Sequence, residues 1–275
     1  MKSYEIFLSN AEAGRHVCVG LDTDITKIPA ALRSYKDPLF AFNKMIIDAT
    51  HDKAAAYKLN FAFYEAYGTP GFDSLKKTVD YIRSVSKDIF IIADAKRGDI
   101  GNTSKMYADS VFNWFGCDSI TLHPYMGKDS LDPFFENQEK LNFVLALTSN
   151  KGSNDFEKIR SEEGEEIYKT VIRKCRSWYP SVNCGFVVGA TNPVELSENL
   201  DILGDSPLLI PGVGAQGGDA GEIASILGRA GRSRFLINVS RSVIYASQGD
   251  DFAQRAADET DKLNSEIRAG FSKTV

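Results

Sequence analysis

Histidine, cysteine and long apolar runs are all scarce in this sequence, and each shortage closes off a class of function. The three histidines are His16, His51 and His123. Only His123, just before Pro124 at the end of an apolar run, falls where a site residue is expected, and the pattern offers it no acid, nucleophile or metal partner. A histidine-driven hydrolase or a histidine-rich metal centre is disfavoured on that ground. The four cysteines, Cys18, Cys117, Cys175 and Cys184, lie far apart and form no CxxC pair. That usage fits buried thiols in a reducing cytoplasm better than a disulfide frame or a zinc site. No stretch approaches the ~20 apolar residues of a membrane span, and the opening MKSYEIFLSNAEAGRH lacks the apolar core of a signal peptide. Without a signal, the glycosylation-like triplets at Asn102 and Asn238 carry no meaning. Basic blocks are missing too. The 32 Lys and Arg are scattered and the net charge is -5, so no field gathers nucleic acid.

What the sequence does have is regular. Its 275 residues, 43% hydrophobic, suit one barrel-sized core, and a single domain over 1-275 is expected. Eight short apolar runs recur: HVCVGLD, AAAYKLN, IFIIADA, CDSITLH, NFVLALT, CGFVVGA, PLLIPGV and RFLINVS. Segments with helical spacing follow them, such as PLFAFNKMIIDAT, FDSLKKTVDYIRSV and NTSKMYADSVFNWF. Strand then helix, eight times over, predicts a closed parallel (β/α)8 TIM barrel. Residues 1-16 read as a helix across its bottom, and DFAQRAADETDKLNSEIRAGF as the closing helix. A doubly wound dinucleotide fold would place GxGxxG after the first strand; GLDTD stands there instead.

Barrels carry their chemistry at the carboxyl ends of the strands. The third run ends in Asp94-Ala95-Lys96-Arg97-Gly98-Asp99, where strand alternation sets Asp94 and Lys96 on one inward face with Asp99 just beyond. A lysine between carboxylates stays protonated in an anionic field, which suits a proton donor to a carbanion. Asp22 ends the first run and Lys58 lies in the second, extending the cluster into a ring of alternating charge. After the seventh run comes PGVGAQGGD, and after the eighth Ser240-Arg241-Ser242. Glycine amides and an arginine fork at these two places are the recurrent phosphate grip of barrels. The fifth run leads into Thr148-Ser149-Asn150-Lys151-Gly152-Ser153-Asn154, a polar loop able to fold over a ligand.

DAKRGDIGNT at 94-103 closely resembles the active-site signature of the orotidine 5'-phosphate decarboxylases, in the longer-chain branch where Arg-Gly follows the lysine. The resemblance continues through GLDTD, YKLNFAFYE, LTSNKG, PGVGAQGGD and NVSRSVIYA. It implies a cofactor-free, metal-free cytoplasmic enzyme that converts orotidine 5'-monophosphate to uridine 5'-monophosphate, the last step of de novo pyrimidine nucleotide synthesis. It implies that Lys96 delivers a proton to C6 and that Asp94 faces the substrate carboxylate. Lys58 and Asp22 are implied as network and ribose-binding members, Ser149 as the pyrimidine contact, Gln216 as the bridge from base to phosphate and Arg241 as the phosphate clamp. Asp99, Ile100 and Thr103 match the portion that crosses into a neighbouring subunit, which implies a homodimer with shared sites. Ser240 departs from shorter relatives, which often carry glycine before the arginine; its backbone N-H still serves, but its side chain threatens to crowd the phosphate.

Two rivals differ in chemistry. A metal-dependent sugar-phosphate decarboxylase or aldolase of the same superfamily needs an acidic ligand where Lys58 stands. A non-catalytic phosphoribosyl-binding barrel has no need of Lys96 with its acids.

Overall fold

A computed structural model describes residues 2-191, 193-214 and 217-272. Each of the eight apolar runs gives one strand, the third extending two residues past its run: β1 (Val17–Gly20), β2 (Ala56–Asn60), β3 (Phe90–Arg97), β4 (Ser119–Leu122), β5 (Asn142–Leu147), β6 (Cys184–Val188), β7 (Leu208–Pro211) and β8 (Phe235–Val239). They pair in parallel in chain order, and β8 returns to β1 to close the barrel. The expected (β/α)8 architecture is the observed one. Closure leaves the sheet no edge.

Helix α1 (Ser3–Glu12) precedes β1, and α2 (Pro38–Thr50) follows it. After β2 come α3 (Phe61–Glu65) and α4 (Gly68–Val85), and after β3 comes α5 (Gly101–Asp109). Next, α6 (Lys128–Phe135) follows β4, while α7 (Ser153–Phe156) and α8 (Ile167–Trp178) follow β5. The circuit ends with α9 (Pro193–Glu198) and α10 (Leu200–Leu203) after β6, α11 (Ala220–Arg229) after β7, and α12 (Arg241–Ile244) and α13 (Phe252–Ser272) after β8. The helical segment expected after β3 runs on beyond α5 as a wide π-type turn over Ser110–Phe115, stopped by left-handed Gly116. Helix starts carry local signals. Asp37 caps α2 by accepting the Phe40 N-H at 3.1 Å, with Pro38 in the first turn. Asp219 caps α11 through the Glu222 N-H at 2.8 Å.

Inside the barrel, side chains change character along the axis because strands point alternate residues inward. At the bottom Cys18, Ala56, Phe90, Ile92, Phe143, Val187, Leu209 and Leu236 form one buried cluster, plugged by Ile6 and Phe7 of α1. Fully burying one such large side chain contributes ~1.5–3 kcal/mol. Farther along the same inward rows stand Lys58 and Asn60 on β2, Asp94 on β3, Thr121 on β4 and Asn238 on β8. The apolar floor is therefore continuous with a polar mouth, and the mouth lies at the carboxyl ends of the strands. All four cysteines are free and buried. No described helix is long and apolar enough to cross a membrane.

Candidate active site

The mouth opens into a cavity of about 450 Å³, within the ~300–1,000 Å³ usual for small-molecule sites. At one side is a chain of charges. Lys58 Nζ donates to Asp94 Oδ2 at 2.7 Å and lies 3.4 Å from Asp22 Oδ1. Lys96 Nζ donates to Asp94 Oδ1 at 2.5 Å. The two lysines differ in what they can do. The Lys58 side chain is 5% exposed and enclosed by its acids, whereas that of Lys96 is 50% exposed and presents its ammonium to the cavity. Burial alone would push the Lys58 ammonium towards neutrality, but the attraction of Asp22 and Asp94 outweighs it and holds the proton above the usual lysine range. Burial likewise works against ionised Asp94, yet Lys58 and Lys96 keep its carboxyl below the usual carboxylate range.

The backbone at Lys96 is unusual. Its φ of 46° makes it the one non-glycine residue at positive φ among the described residues, a conformation that costs ~1–3 kcal/mol and concentrates at functional sites. The strand pairing shows its origin. Ala93 pairs with Ile120 and Arg97 with Leu122, so Asp94, Ala95 and Lys96 together stand opposite Thr121 alone. Bulges of this kind re-aim side chains at barrel rims.

The other side of the cavity is lined by Gly212 and Val213 after β7 and by Ser240, Arg241 and Ser242 at the start of α12. Arg241 is exposed, and no ion pair occupies its guanidinium among the described residues. Thr148, Ser149 and Asn150 line the rim after β5. Their loop is anchored from within, since the Glu157 carboxylate accepts both the Thr148 N-H and its hydroxyl at 2.8 Å. Three buried oxygens of cavity-lining residues, Ser149 Oγ, Asn238 Oδ1 and Ser240 Oγ, have no hydrogen-bond partner among the described residues. Buried polar atoms are normally satisfied; here Ser149 Oγ lies where a Cβ on Gly189 would clash and Asn238 Oδ1 3.3 Å from where one on Gly20 would stand, so both are packed against glycine backbone. Leu145, Val187 and Leu209 add an apolar wall.

The structure thus brings Asp22, Lys58, Asp94, Lys96, Ser149, Ser240 and Arg241 around one cavity. Gln216 lies outside the described residues. Asp99, Ile100 and Thr103 do not line the cavity in this chain. Asp99 sits in the turn into α5, where its carboxylate accepts the Ile100 N-H at 2.8 Å, and no hydrogen bond or ion pair joins it to Lys96. Within one chain, then, Lys96 meets one carboxylate. Ser240 Cβ lies 2.8 Å from where a Cβ on Gly20 would stand, so the missing side chain of Gly20 leaves room for the serine at β1. His123 packs against the exit of β3, with its carbonyl oxygen 2.6 Å from where a Cβ on Gly98 would be.

Asn60, Thr121 and Asn238 line the cavity and were missed as site residues by reasoning from strand ends. Their signal was a polar residue on the inward row of an otherwise apolar run. Tyr245 was also missed. Its hydroxyl donates to Asp22 O at 3.1 Å and accepts the Asp24 N-H at 2.7 Å, which fixes the loop that carries Asp22.

Comparison with known proteins places this geometry. A model described as the orotidine 5'-phosphate decarboxylase / HUMPS family matches residues 15–256. The chain is 47% identical over 273 residues to the orotidine 5'-phosphate decarboxylase of Christiangramia forsetii, spanning 99% of this chain and 100% of that protein. It is 49% identical over 251 residues to that of Flavobacterium johnsoniae, spanning 91% of each. Among solved structures, the OMP decarboxylase of Leishmania donovani superposes with a TM-score of 0.81 at 33% identity, over 98% of this chain and 100% of that one. Fold, motif and relatives agree, and the chain belongs to the orotidine 5'-phosphate decarboxylase / HUMPS family.

Proposed function

We propose that this chain decarboxylates orotidine 5'-monophosphate to uridine 5'-monophosphate, the last step of de novo pyrimidine nucleotide synthesis, as a cytoplasmic enzyme with residues 1-275 acting as one domain. The observation that carries the proposal is the Lys96 ammonium, exposed to the cavity and held at 2.5 Å by Asp94, with a glycine loop and Arg241 across the same cavity. The named relatives fall on the decarboxylase side of the family's description.

In this reading the phosphate lies against Gly212, Ser240 and Arg241, where a planar guanidinium matches its oxygens. Ser149 supplies a hydroxyl to the pyrimidine edge, Asp22 holds the ribose and Lys58 the charge network, with Gln216 spanning base and phosphate. The C6 carboxylate then faces Asp94 and Lys96. The bond from C6 to the carboxylate carbon breaks, carbon dioxide leaves, and the electron pair stays at C6. Lys96 Nζ places a positive charge where that pair develops and then transfers its proton to C6. A fixed charge of this kind needs no reorganisation during the reaction. Leu145, Val187 and Leu209 exclude water from one wall, which strengthens each charge interaction beside them. Phosphate binding far from C6 gives the binding energy that such chemistry draws on.

The site is completed by a second copy of the chain, which contributes Asp99, Ile100 and Thr103. Ile100, at the start of α5, is 57% exposed and Met106, within α5, 65%, apolar side chains that burial in a homodimer would cover.

The test is turnover of orotidine 5'-monophosphate by purified protein in EDTA, followed as loss of orotate absorbance, beside Lys96→Ala. Conversion to uridine 5'-monophosphate that survives chelation and disappears in the variant is expected. No turnover, with a divalent metal restoring activity on a sugar phosphate, would move the chain to the metal-dependent branch. The buried Lys58 ammonium speaks against that branch, because it repels a dication from the position its ligand would occupy.

A further inference from the structure

The peptide between Ala95 and Lys96 is gripped at both ends by side chains, one of which, Thr121, also lines the cavity. Its N-H, that of Lys96, donates to Thr121 Oγ1 at 3.0 Å. Its carbonyl, that of Ala95, accepts from Arg97 Nη1 at 2.9 Å. The Thr121 hydroxyl has one proton, and it donates that proton to Asp94 Oδ1 at 3.0 Å; the oxygen is thereby free to accept from Lys96. Arg97 is fixed in turn. Its other terminal nitrogen pairs with Glu65 after β2, and the guanidinium lies 5.1 Å from the ring centre of Tyr107 on α5.

We propose that Thr121 and Arg97 are positioning residues that hold the three-against-one bulge of β3 and so keep Lys96 in its left-handed conformation, with Nζ at Asp94. This rests on the reading of Lys96 as the proton donor. The physical basis is that a residue in a strained conformation persists only when its surroundings over-determine it. Here the determinants are two hydrogen bonds to a single peptide plane. Without them the β3 pairing has no reason to skip from Ala93 to Arg97, and a relaxed Lys96 backbone swings Nζ away from Asp94. Thr121 couples the two halves of the device, because the same oxygen orients the Asp94 carboxylate and the Lys96 amide. Arg97 supplies what a lysine there could not: a fork that reaches Ala95 O and Glu65 at once.

The experiment compares Thr121→Val, Thr121→Ser, Arg97→Lys and Lys96→Ala with the wild type. It measures kcat and KM on orotidine 5'-monophosphate, the dissociation constant for uridine 5'-monophosphate, and thermal melting. Thr121→Val and Arg97→Lys are expected to lower kcat by roughly 10- to 100-fold, the cost of a small misplacement of a reacting group, while KM and product affinity stay within about twofold because the phosphate and ribose contacts are untouched. Thr121→Ser, which keeps the hydroxyl, restores most of the rate. Folded Thr121→Val and Arg97→Lys with wild-type kcat, beside an inactive Lys96→Ala, would overturn the positioning role. So would a loss of kcat matched by an equal loss of product affinity, which would mean general disruption of the pocket. Activity surviving in Lys96→Ala would instead refute the proton-donor reading. Should Thr121→Val fail to fold, Arg97→Lys decides alone, and an unchanged kcat there counts against the proposal.

Discussion

Lys58 and Asp94 form a buried ion pair at 2.7 Å between neighbouring strands, and the same ammonium lies 3.4 Å from Asp22. One enclosed cation is thus shared by two carboxylates, and the second carboxylate is also the partner of Lys96. The arrangement explains why the exposed lysine can be aimed: Asp94 is itself held by Lys58 and Thr121, so it serves as a fixed reference for Lys96.

Replacing Lys58 by methionine keeps the volume and removes the charge. It leaves Asp94 and Asp22 facing each other without their shared cation, and losing one partner of a buried pair costs ~3–5 kcal/mol. Urea unfolding at neutral pH is expected to show a midpoint lowered accordingly, with no decarboxylation. The pH dependence follows from Asp94. Its folded carboxyl is held below the usual range, so its contribution is complete above the unfolded value of about 3.9 and is lost as pH falls through the folded value. The wild type should therefore lose stability steeply in acid, and Lys58→Met less so. A wild-type midpoint in Lys58→Met would refute the shared-cation account.

His16 makes a separate prediction on the barrel's bottom. Its Nδ1 lies 3.0 Å from Phe235 O, and its ring stacks on that of Phe235 at 4.0 Å. Burial pushes its pKa below the ordinary histidine value, only partly offset by the backbone carbonyl. A folded value below the unfolded one means that stability is fully present above about pH 6.5 and falls as pH drops through the folded value. Unfolding free energies measured from pH 7.5 down to 5 should decline more in the wild type than in His16→Phe. Parallel curves for the two proteins would show that His16 does not titrate with folding.

Arg241 has no carboxylate partner among the described residues and heads a short helix beside the glycine loop. Arg241→Ala is expected to raise KM for orotidine 5'-monophosphate by roughly 10- to 100-fold, as for a lost hydrogen bond to a charged group, while turnover of orotidine lacking the phosphate stays unchanged. Equal losses on both substrates would place Arg241 elsewhere in the mechanism.

How much of this was legible in the sequence can be judged from β3 and its neighbours. All eight strands were readable because buried strands write themselves as short apolar runs, and Asp94 and Lys96 were readable as charges at the end of one such run, although the bulge rather than simple alternation aims Lys96 at Asp94. Asn60, Thr121 and Asn238 were visible as polar residues inside those runs, but a rule that looks only past the strand ends overlooks them. The bulge was not legible. Nothing in IFIIADAKR announces that three residues will face one on β4, because the Thr121 hydroxyl comes from β4 and the Arg97 fork is held by Glu65 and Tyr107 from elsewhere in the chain. For Asp99 the family resemblance implied a place in a neighbouring subunit's site, whereas sequence spacing alone shows only that it is near Lys96 along the chain.

That last point can be settled by mixing inactive chains. If Asp99 acts in the partner's site, Lys96→Ala and Asp99→Ala are each inactive as homodimers, yet a mixed dimer contains one site with both residues intact. That site takes Lys96 from the Asp99→Ala chain and Asp99 from the Lys96→Ala chain. An equal mixture, unfolded and refolded together, should recover about a quarter of wild-type activity, as statistical pairing in a two-fold dimer requires. Were Asp99 to act within its own chain, every site in the mixture would lack one of the two residues and no activity would return. Ile100→Asp provides the independent control. A charge on that exposed apolar side chain should shift the protein to monomer in light scattering and abolish turnover, because a separated chain carries its Lys96 without a partner's Asp99. A fully active monomer would remove the shared-site dimer from the mechanism and leave Lys96 to work with Asp94 alone.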